Sequence, residues 1–267
     1  MTEQLLLLDP PENRQEAATD EVRLITLNAQ NASAGRAQRL AQWVAGQEVA
    51  DHLVVTEVGY GPGGQALVSA LANRGYRSVL ALPAAGLSDY RTVLASRSAD
   101  LTATPSGISE LPHRAPAARL RFGPHTVGLL GLYVPSRGNM VKKRRFQDAV
   151  GQALPAFLGQ FDGPVIVTGD LNVLEPGHTP PHSTFRQWEY DFYKAFPAAG
   201  LVDAFRHLHP DLDDHSWFGR EGSGYRFDHT FVTDGHKGCV KICQYVHEPR
   251  EMGLTDHSAM LLRLSLT

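Results

Sequence analysis

Sulfur is scarce in this chain: 267 residues carry two cysteines, Cys239 and Cys243. Four positions apart, they form neither a disulfide framework nor a zinc-ligand spacing, and they read as buried, reduced thiols of a cytosolic protein. Long apolar runs are missing too. Leu5 to Leu8 is too short for the core of a signal peptide, and no basic region precedes it. Nothing approaches the roughly 20 apolar residues that a membrane span needs, so a cytoplasmic location without a membrane partner is expected. An excess of positive charge is also lacking. Lys and Arg number 25 against 28 Asp and Glu, for a net charge of -3. That balance argues against a broad polyanion-coating surface and leaves room for a local basic groove. No repeat, low-complexity tract or linker divides the chain, and no feature points to a protein partner.

What remains is an ordinary globular composition, 42% hydrophobic and 20% charged, long enough to bury a sizeable core. Residues 1–20 read as a polar N-terminal arm and 21–267 as a single domain. Val22–Leu27, Leu53–Glu57, Arg77–Leu82 and Arg91–Ser96 read as strands, with helices over Ala34–Gln47, where Ser33 is the expected N-cap, and over Gln65–Asn73. Leu120–Phe122 and Thr126–Val134 form a hairpin turning at Gly123-Pro124. Phe146, Val150, Leu154 and Phe157 recur at helical spacing, giving a helix over 140–160. A strand at Val165–Thr168 and helical material over Phe185–Phe196 follow, then a loop-rich stretch from His207 to Gly224. Phe227–Thr233, Val240–His247 and Ala259–Leu266 close the chain as strands. Strands in runs, with helices between the runs, suggest sheet on sheet with outer helices.

Acidic and amide side chains fall repeatedly at strand ends. Asn28 follows the first strand, Glu57 ends the second, Asp170 and Asn172 follow Val165–Thr168, and Asp256-His257 precedes the last strand. One Asp in such a place is a turn residue; this many suggest a common site. Glu57 and Asp256 offer carboxylates and Asn28 a neutral oxygen to a hard divalent cation. Asp170 and Asn172 share a face if their strand continues, so the carboxylate can take a proton from a water that the amide orients. His257 can donate to a phosphoryl oxygen, with Asp228 fixing its tautomer. These are the parts for attack by water on a phosphate ester.

Leu24-Ile-Thr-Leu-Asn28 followed by Ala34–Leu40, and then Val54-Val-Thr-Glu57, Gly131-Leu-Tyr-Val-Pro135 and Thr168-Gly-Asp-Leu-Asn172, occur in one order. Gly200–Arg206, His215-Ser-Trp-Phe218, Tyr225-Arg-Phe-Asp228 and Leu254-Thr-Asp-His257 complete the set. Over roughly residues 22–265 this set resembles the exonuclease III branch of the endonuclease/exonuclease/phosphatase family. The resemblance implies a four-layer α/β sandwich, with two facing mixed β-sheets flanked by helices. It implies a magnesium- or manganese-dependent hydrolase of DNA, acting as an apurinic-site endonuclease, a 3′-exonuclease or both. Asp170 would be the proton acceptor with Asn172 its partner, Tyr133 a contact of the reacting phosphate, Asp228 the partner of His257, and Asn28, Glu57 and Asp256 the metal residues.

The sequence departs from that pattern in places. Thr56 stands where the family usually has Gln, and Ser88–Ser96 lacks the Gly that commonly begins the corresponding strand, which makes Asp89–Arg91 a substrate-side element. The loop from Phe218 to Asp228 is short, which favours a second reading, the same chemistry on RNA or a small phosphate ester. A catalytically silent binding module is a third. Lys142, Lys143 and Arg144, with Arg145, sit at a helix start where cations oppose the dipole, so they read either as a phosphate-binding cluster or as a solvated basic turn. Trp217 reads either as a stacking platform for a base or as a core residue. His207, His209, His215, His229, His236 and His247 lack zinc-ligand spacing and are expected on loops or the surface.

Overall fold

The structure is a computed structural model that describes residues 20–48, 50–83, 89–182 and 184–267. The expected N-terminal arm lies outside these residues apart from Asp20. The strands are β1 Glu21–Asn28, β2 His52–Val58, β3 Ser78–Ala81, β4 Arg91–Ser96, β5 Asp100–Thr104, β6 Ala117–Phe122, β7 His125–Tyr133, β8 Val165–Asp170, β9 Leu201–Asp203, β10 Trp217–Phe218, β11 Gly224–Tyr225, β12 Asp228–Thr233, β13 Val240–Val246 and β14 Ala259–Ser265. The helices are α1 Ala34–Ala45, α2 Pro62–Ala72, α3 Met140–Leu158, α4 Gln187–Ala198, α5 Ala204–Leu208 and α6 Glu248–Glu251.

Two six-stranded sheets face each other, ordered β13-β14-β1-β2-β4-β3 and β5-β6-β7-β8-β12-β9. Each is mixed, with one parallel pair near its middle, β1 with β2 and β7 with β8. Alternation along β2 shows how four layers arise. Val54 points into the inter-sheet core with Leu94, Leu129 and Ile166. Its neighbours Leu53 and Val55 point outward, where Leu40, Trp43 and Leu67 of α1 and α2 cover them. On the far side Phe146, Val150 and Leu154 of α3 and Phe196 of α4 cover Val165, Val167 and Phe231. Strands buried on both faces read as continuous apolar runs, which is why they were visible in the sequence. The sheets pack closely at Gly131, where an added Cβ would lie 2.8 Å from Leu94 and 2.9 Å from both Thr92 and Val54.

Some expectations need correction. Ser33 occupies the N-cap of α1, but its side chain makes no capping hydrogen bond. β8 does not continue through Asn172; it ends at Asp170. Cys239 is half-buried rather than buried, while Cys243 is enclosed, and both are free thiols. Among the histidines, His229 is fully buried on β12. No helix among the described residues is long and apolar enough to cross a membrane.

Candidate active site

The site lies where the strand directions make it inevitable. Parallel β1 and β2 finish at one edge of their sheet, and parallel β7 and β8 finish at the matching edge of the other. Antiparallel β12 and β14 begin there. This places Asn28 level with Thr56, and Tyr133 and Asp228 both level with Asp170. Four non-glycine residues at this edge adopt left-handed backbone, Gln30 at φ 48° and Asn31 at φ 42° just after β1, Glu57 at φ 54° and Asn172 at φ 48°. Glu57 sits in a β-bulge against β4, which re-aims its side chain; such strain persists only where the surroundings over-determine it. Gly169, at φ 150°, is required by contact as well: an added Cβ would lie 1.9 Å from the Leu132 carbonyl oxygen.

Asp170 is buried and held on both oxygens. The Asn172 backbone N–H donates to Oδ1 at 2.9 Å, while the Asn172 and Asn28 side-chain amides donate to Oδ2 at 3.1 and 2.9 Å. Asn172 therefore meets Asp170 through a tight turn, not through a shared strand face. Asn28 also donates to Glu57 Oε2 at 3.2 Å, and its own oxygen accepts from the Gln30 N–H at 2.7 Å. Wedged between two carboxylates, Asn28 must present its N–H groups to them. The oxygen keeps a second lone pair, so the expected contact of Asn28 with a metal is compatible with this arrangement. His257 Nδ1 donates to Asp228 Oδ2 at 2.7 Å, and the other Asp228 oxygen is buried without a partner. Trp217 is half-buried against Tyr225 and Phe227, and its indole N–H donates to Asp256 Oδ2 at 3.1 Å. Asp256 Oδ1, 3.9 Å from His257 Nε2, has no hydrogen-bond partner.

Burial first, and then the charge of Asp228, push Asp170 up to about 7. Burial also raises Glu57, although the hydrogen bond from Asn28 opposes it. Tyr133 is pushed well above the ordinary phenol range by burial and by the charges of Glu57 and Asp170, so it stays a proton donor at neutral pH. Burial alone would lower His257, but the charge and hydrogen bond of Asp228 prevail and raise it to about 10. The edge thus holds one carboxylate poised near neutrality beside a cationic imidazole and a neutral phenol, a set that can take a proton from water and stabilise negative oxygens.

The donors at Glu57 and Asp256 suit a hard cation, and the unpartnered Asp256 oxygen is an orphan that such an ion would satisfy. Among the described residues no three His, Cys, Asp or Glu side chains converge to hold a metal. Two carboxylates completed by water and substrate phosphate are the sparse set that magnesium accepts.

The expected basic cluster is not one surface. Lys143 is buried, donating to Glu189 Oε1 and, at 2.7 Å, to the Asn172 carbonyl. It braces the turn behind Asp170 and cannot meet a substrate. Lys142 reaches Asp89 at 2.8 Å, and Arg144 lies 5.9 Å from the Trp188 ring. Asp89 also binds Arg114 and, at 3.1 Å, His113. The Arg114 guanidinium sits 4.5 Å over the Tyr133 ring, with Nη1 buried and unpartnered. Sequence reasoning missed Arg114, because a single arginine in a Pro-rich loop carries no periodic signal. The loop from Asp89 to Arg91 does lie beside Tyr133, with Tyr90 6.3 Å from its ring.

No protein-family model matches the sequence. An exodeoxyribonuclease of Bacillus subtilis (strain 168) is 28% identical over 147 residues, covering 49% of this chain and 58% of that protein. The chain thus matches little more than half the length of that relative. A 3′-5′ exonuclease (NExo) of Neisseria meningitidis superposes with a TM-score of 0.73 at 18% identity, over 91% of this chain and 99% of the other. An AP endonuclease of Archaeoglobus fulgidus gives 0.72 at 19% identity, over 90% and 97%. A 3′ phosphatase NExo variant bound to product DNA hairpin also gives 0.72, at 18% identity, over 90% and 98%. Two facing mixed sheets with outer helices, matched over nine-tenths of the chain, give this protein the α/β-sandwich fold of the exonuclease III-like endonuclease/exonuclease/phosphatase enzymes.

Proposed function

We propose that this chain is a divalent-metal-dependent phosphodiesterase that hydrolyses DNA by attack of water on phosphorus, as an apurinic-site endonuclease, a 3′-exonuclease or both. One observation carries the reading: Asp170, held by Asn28 and Asn172, lies at the same edge as the His257–Asp228 pair. Asp170 takes the proton of the attacking water, a task suited to a carboxylate with a pKa near working pH. Asn172 fixes the face that Asp170 presents. His257, kept cationic by Asp228, and Tyr133 donate to the phosphoryl oxygens as charge develops on them. Glu57 and Asp256 would hold magnesium or manganese, which supplies charge neutralisation at the phosphate. Asn28 aligns Glu57 with Asp170 through its two N–H groups. Lys142 and Arg114 supply positive charge beside Tyr133, and the half-buried Trp217 forms part of the site's wall.

The substrate assignment draws on the named activities of the similar proteins, each of which acts on DNA or is a nuclease. The test is cleavage of end-labelled DNA with magnesium, manganese or chelator, on an intact duplex, a duplex with one abasic site, a single strand and a phosphate monoester. Metal-dependent cutting of DNA is expected, weakening steeply with salt as phosphate contacts release counterions. Release of phosphate from the monoester without any DNA cutting would overturn it. Asp170→Asn should lower turnover by roughly 10²–10⁴-fold with an unchanged circular-dichroism spectrum; near-parental turnover would refute its role as proton acceptor.

A further inference from the structure

The Tyr225–Asp228 motif contains an arginine that the proposed chemistry does not use. Arg226 is fully buried, and its surroundings explain how Asp228 is held. The Phe227 carbonyl accepts from the Leu171 N–H at 2.9 Å on the β8 side. Successive backbone groups along a strand point to opposite sides, so the N–H and C=O of Asp228 turn away from β8. On that side β9 pairs only from Phe231 onward and leaves Asp228 without a strand neighbour.

Two hydroxyls take the place of the missing strand. Ser216 Oγ accepts from the Phe227 N–H at 3.0 Å and the Asp228 N–H at 3.1 Å. The Tyr245 hydroxyl donates to the Asp228 carbonyl at 2.6 Å. Arg226 Nε donates to that same tyrosine oxygen at 3.2 Å, so the tyrosine proton is left to point at Asp228. Arg226 itself is fixed by Glu175 at 2.5 Å and Asp203 at 3.0 Å.

The same residues reach both sides of the site. The Ser216 carbonyl accepts from the Ser258 N–H at 2.7 Å, next to His257. Glu175 lies three residues after Asn172, and the Arg226 N–H donates to His178 at 3.3 Å. One buried cluster therefore spans the backbone behind Asp228, His257 and Asn172.

We infer that Ser216 and Tyr245, with Arg226 behind Tyr245, are positioning residues that set the Asp228–His257 hydrogen bond and its placement relative to Asp170. The catalytic part of this inference rests on the phosphodiesterase reading; the geometric part does not. Misplacing a reacting group by about 1 Å costs on the order of 10²-fold in rate, so loss of either hydroxyl should be visible in turnover.

The test compares the full-length parent with Tyr245→Phe, Ser216→Ala and Ser216→Thr. Cleavage of an abasic-site duplex with magnesium gives kcat and KM, and proton NMR follows the His257 Nδ1–H resonance. Tyr245→Phe and Ser216→Ala should each lower kcat by roughly 10–100-fold with KM within about twofold, because substrate contacts are untouched. Both should move or broaden the His257 resonance, and Ser216→Thr, which keeps the hydroxyl, should restore both signals. Parental kcat and resonance in the Phe and Ala variants would overturn the inference, as would a lowered kcat with an unmoved resonance. If Tyr245→Phe fails to fold, Ser216→Ala and Ser216→Thr decide alone. If the parent cuts no DNA, the phosphodiesterase reading fails, while the His257 resonance still decides whether these residues set the pair.

Discussion

Lys143 is a cation with no access to water, and its charge is balanced by a Glu189 carboxylate that is equally enclosed. Burial lowers the pKa of the lysine, while the hydrogen bond and charge of Glu189 oppose that shift. Replacing one member strands the other. Lys143→Ala should destabilise the protein by about 3–5 kcal/mol in urea unfolding, whereas the apolar pair Lys143→Met with Glu189→Leu should recover most of the loss. Equal stability of parent and single variant would mean that the pair does not hold the turn at Asn172. This residue also shows where a sequence stops being informative. A run of four basic side chains does not reveal which one the helix turns inward. Asp170, Asn172, Asp228 and His257 were legible because carboxylate, amide and imidazole side chains recur at several separate strand ends, where one alone would pass for a turn residue. Arg114 and Tyr245 were not, since nothing local distinguishes them from any loop arginine or strand tyrosine.

At the scale of elements, the central strands and long helices could be read because burial on both faces leaves continuous apolar runs. β5 could not: Asp100–Thr104 is an edge strand with a largely exposed, polar sequence. β9 and α5 are too short for a period to register, being three and five residues long. The contact between the two sheets is likewise invisible in sequence, although Gly131 marks it. Gly131→Ala would press a methyl group into Val54, Thr92 and Leu94 of the opposite sheet. Overpacking of this kind typically costs about 1–3 kcal/mol. A lowered midpoint in thermal melts is the expected outcome, with a loss of turnover as the Tyr133 strand shifts. An unchanged midpoint would mean that the sheets slide apart without penalty.

Across the whole molecule, acid should be the weakness. Burial alone would raise Glu175, but the hydrogen bond from Arg206 and the charge of Arg226 hold it near 2. Asp203 and Asp89 are likewise held below the usual carboxylate range: burial opposes this, and Arg226 and Arg114 outweigh it. A folded pKa below the unfolded one means that the unfolded chain binds more protons. This stabilisation is therefore complete above about 4.5 and is lost as pH falls toward 2. Thermal melts in buffers of decreasing pH should show the midpoint dropping through that window. A midpoint level down to about pH 2.5 would refute the arginine-held carboxylates as a source of stability. The order of strands has a further consequence. β14 lies between β13 and β1, pairs residue for residue with the first described strand, and follows directly on His257. A ribosome that has released everything up to β12 has made Asn28, Glu57, Asp170 and Asp228, yet the first sheet still lacks the strand beside β1, and Asp228 has no histidine. The first sheet and the His257–Asp228 pair are thus joined only once β14 has emerged.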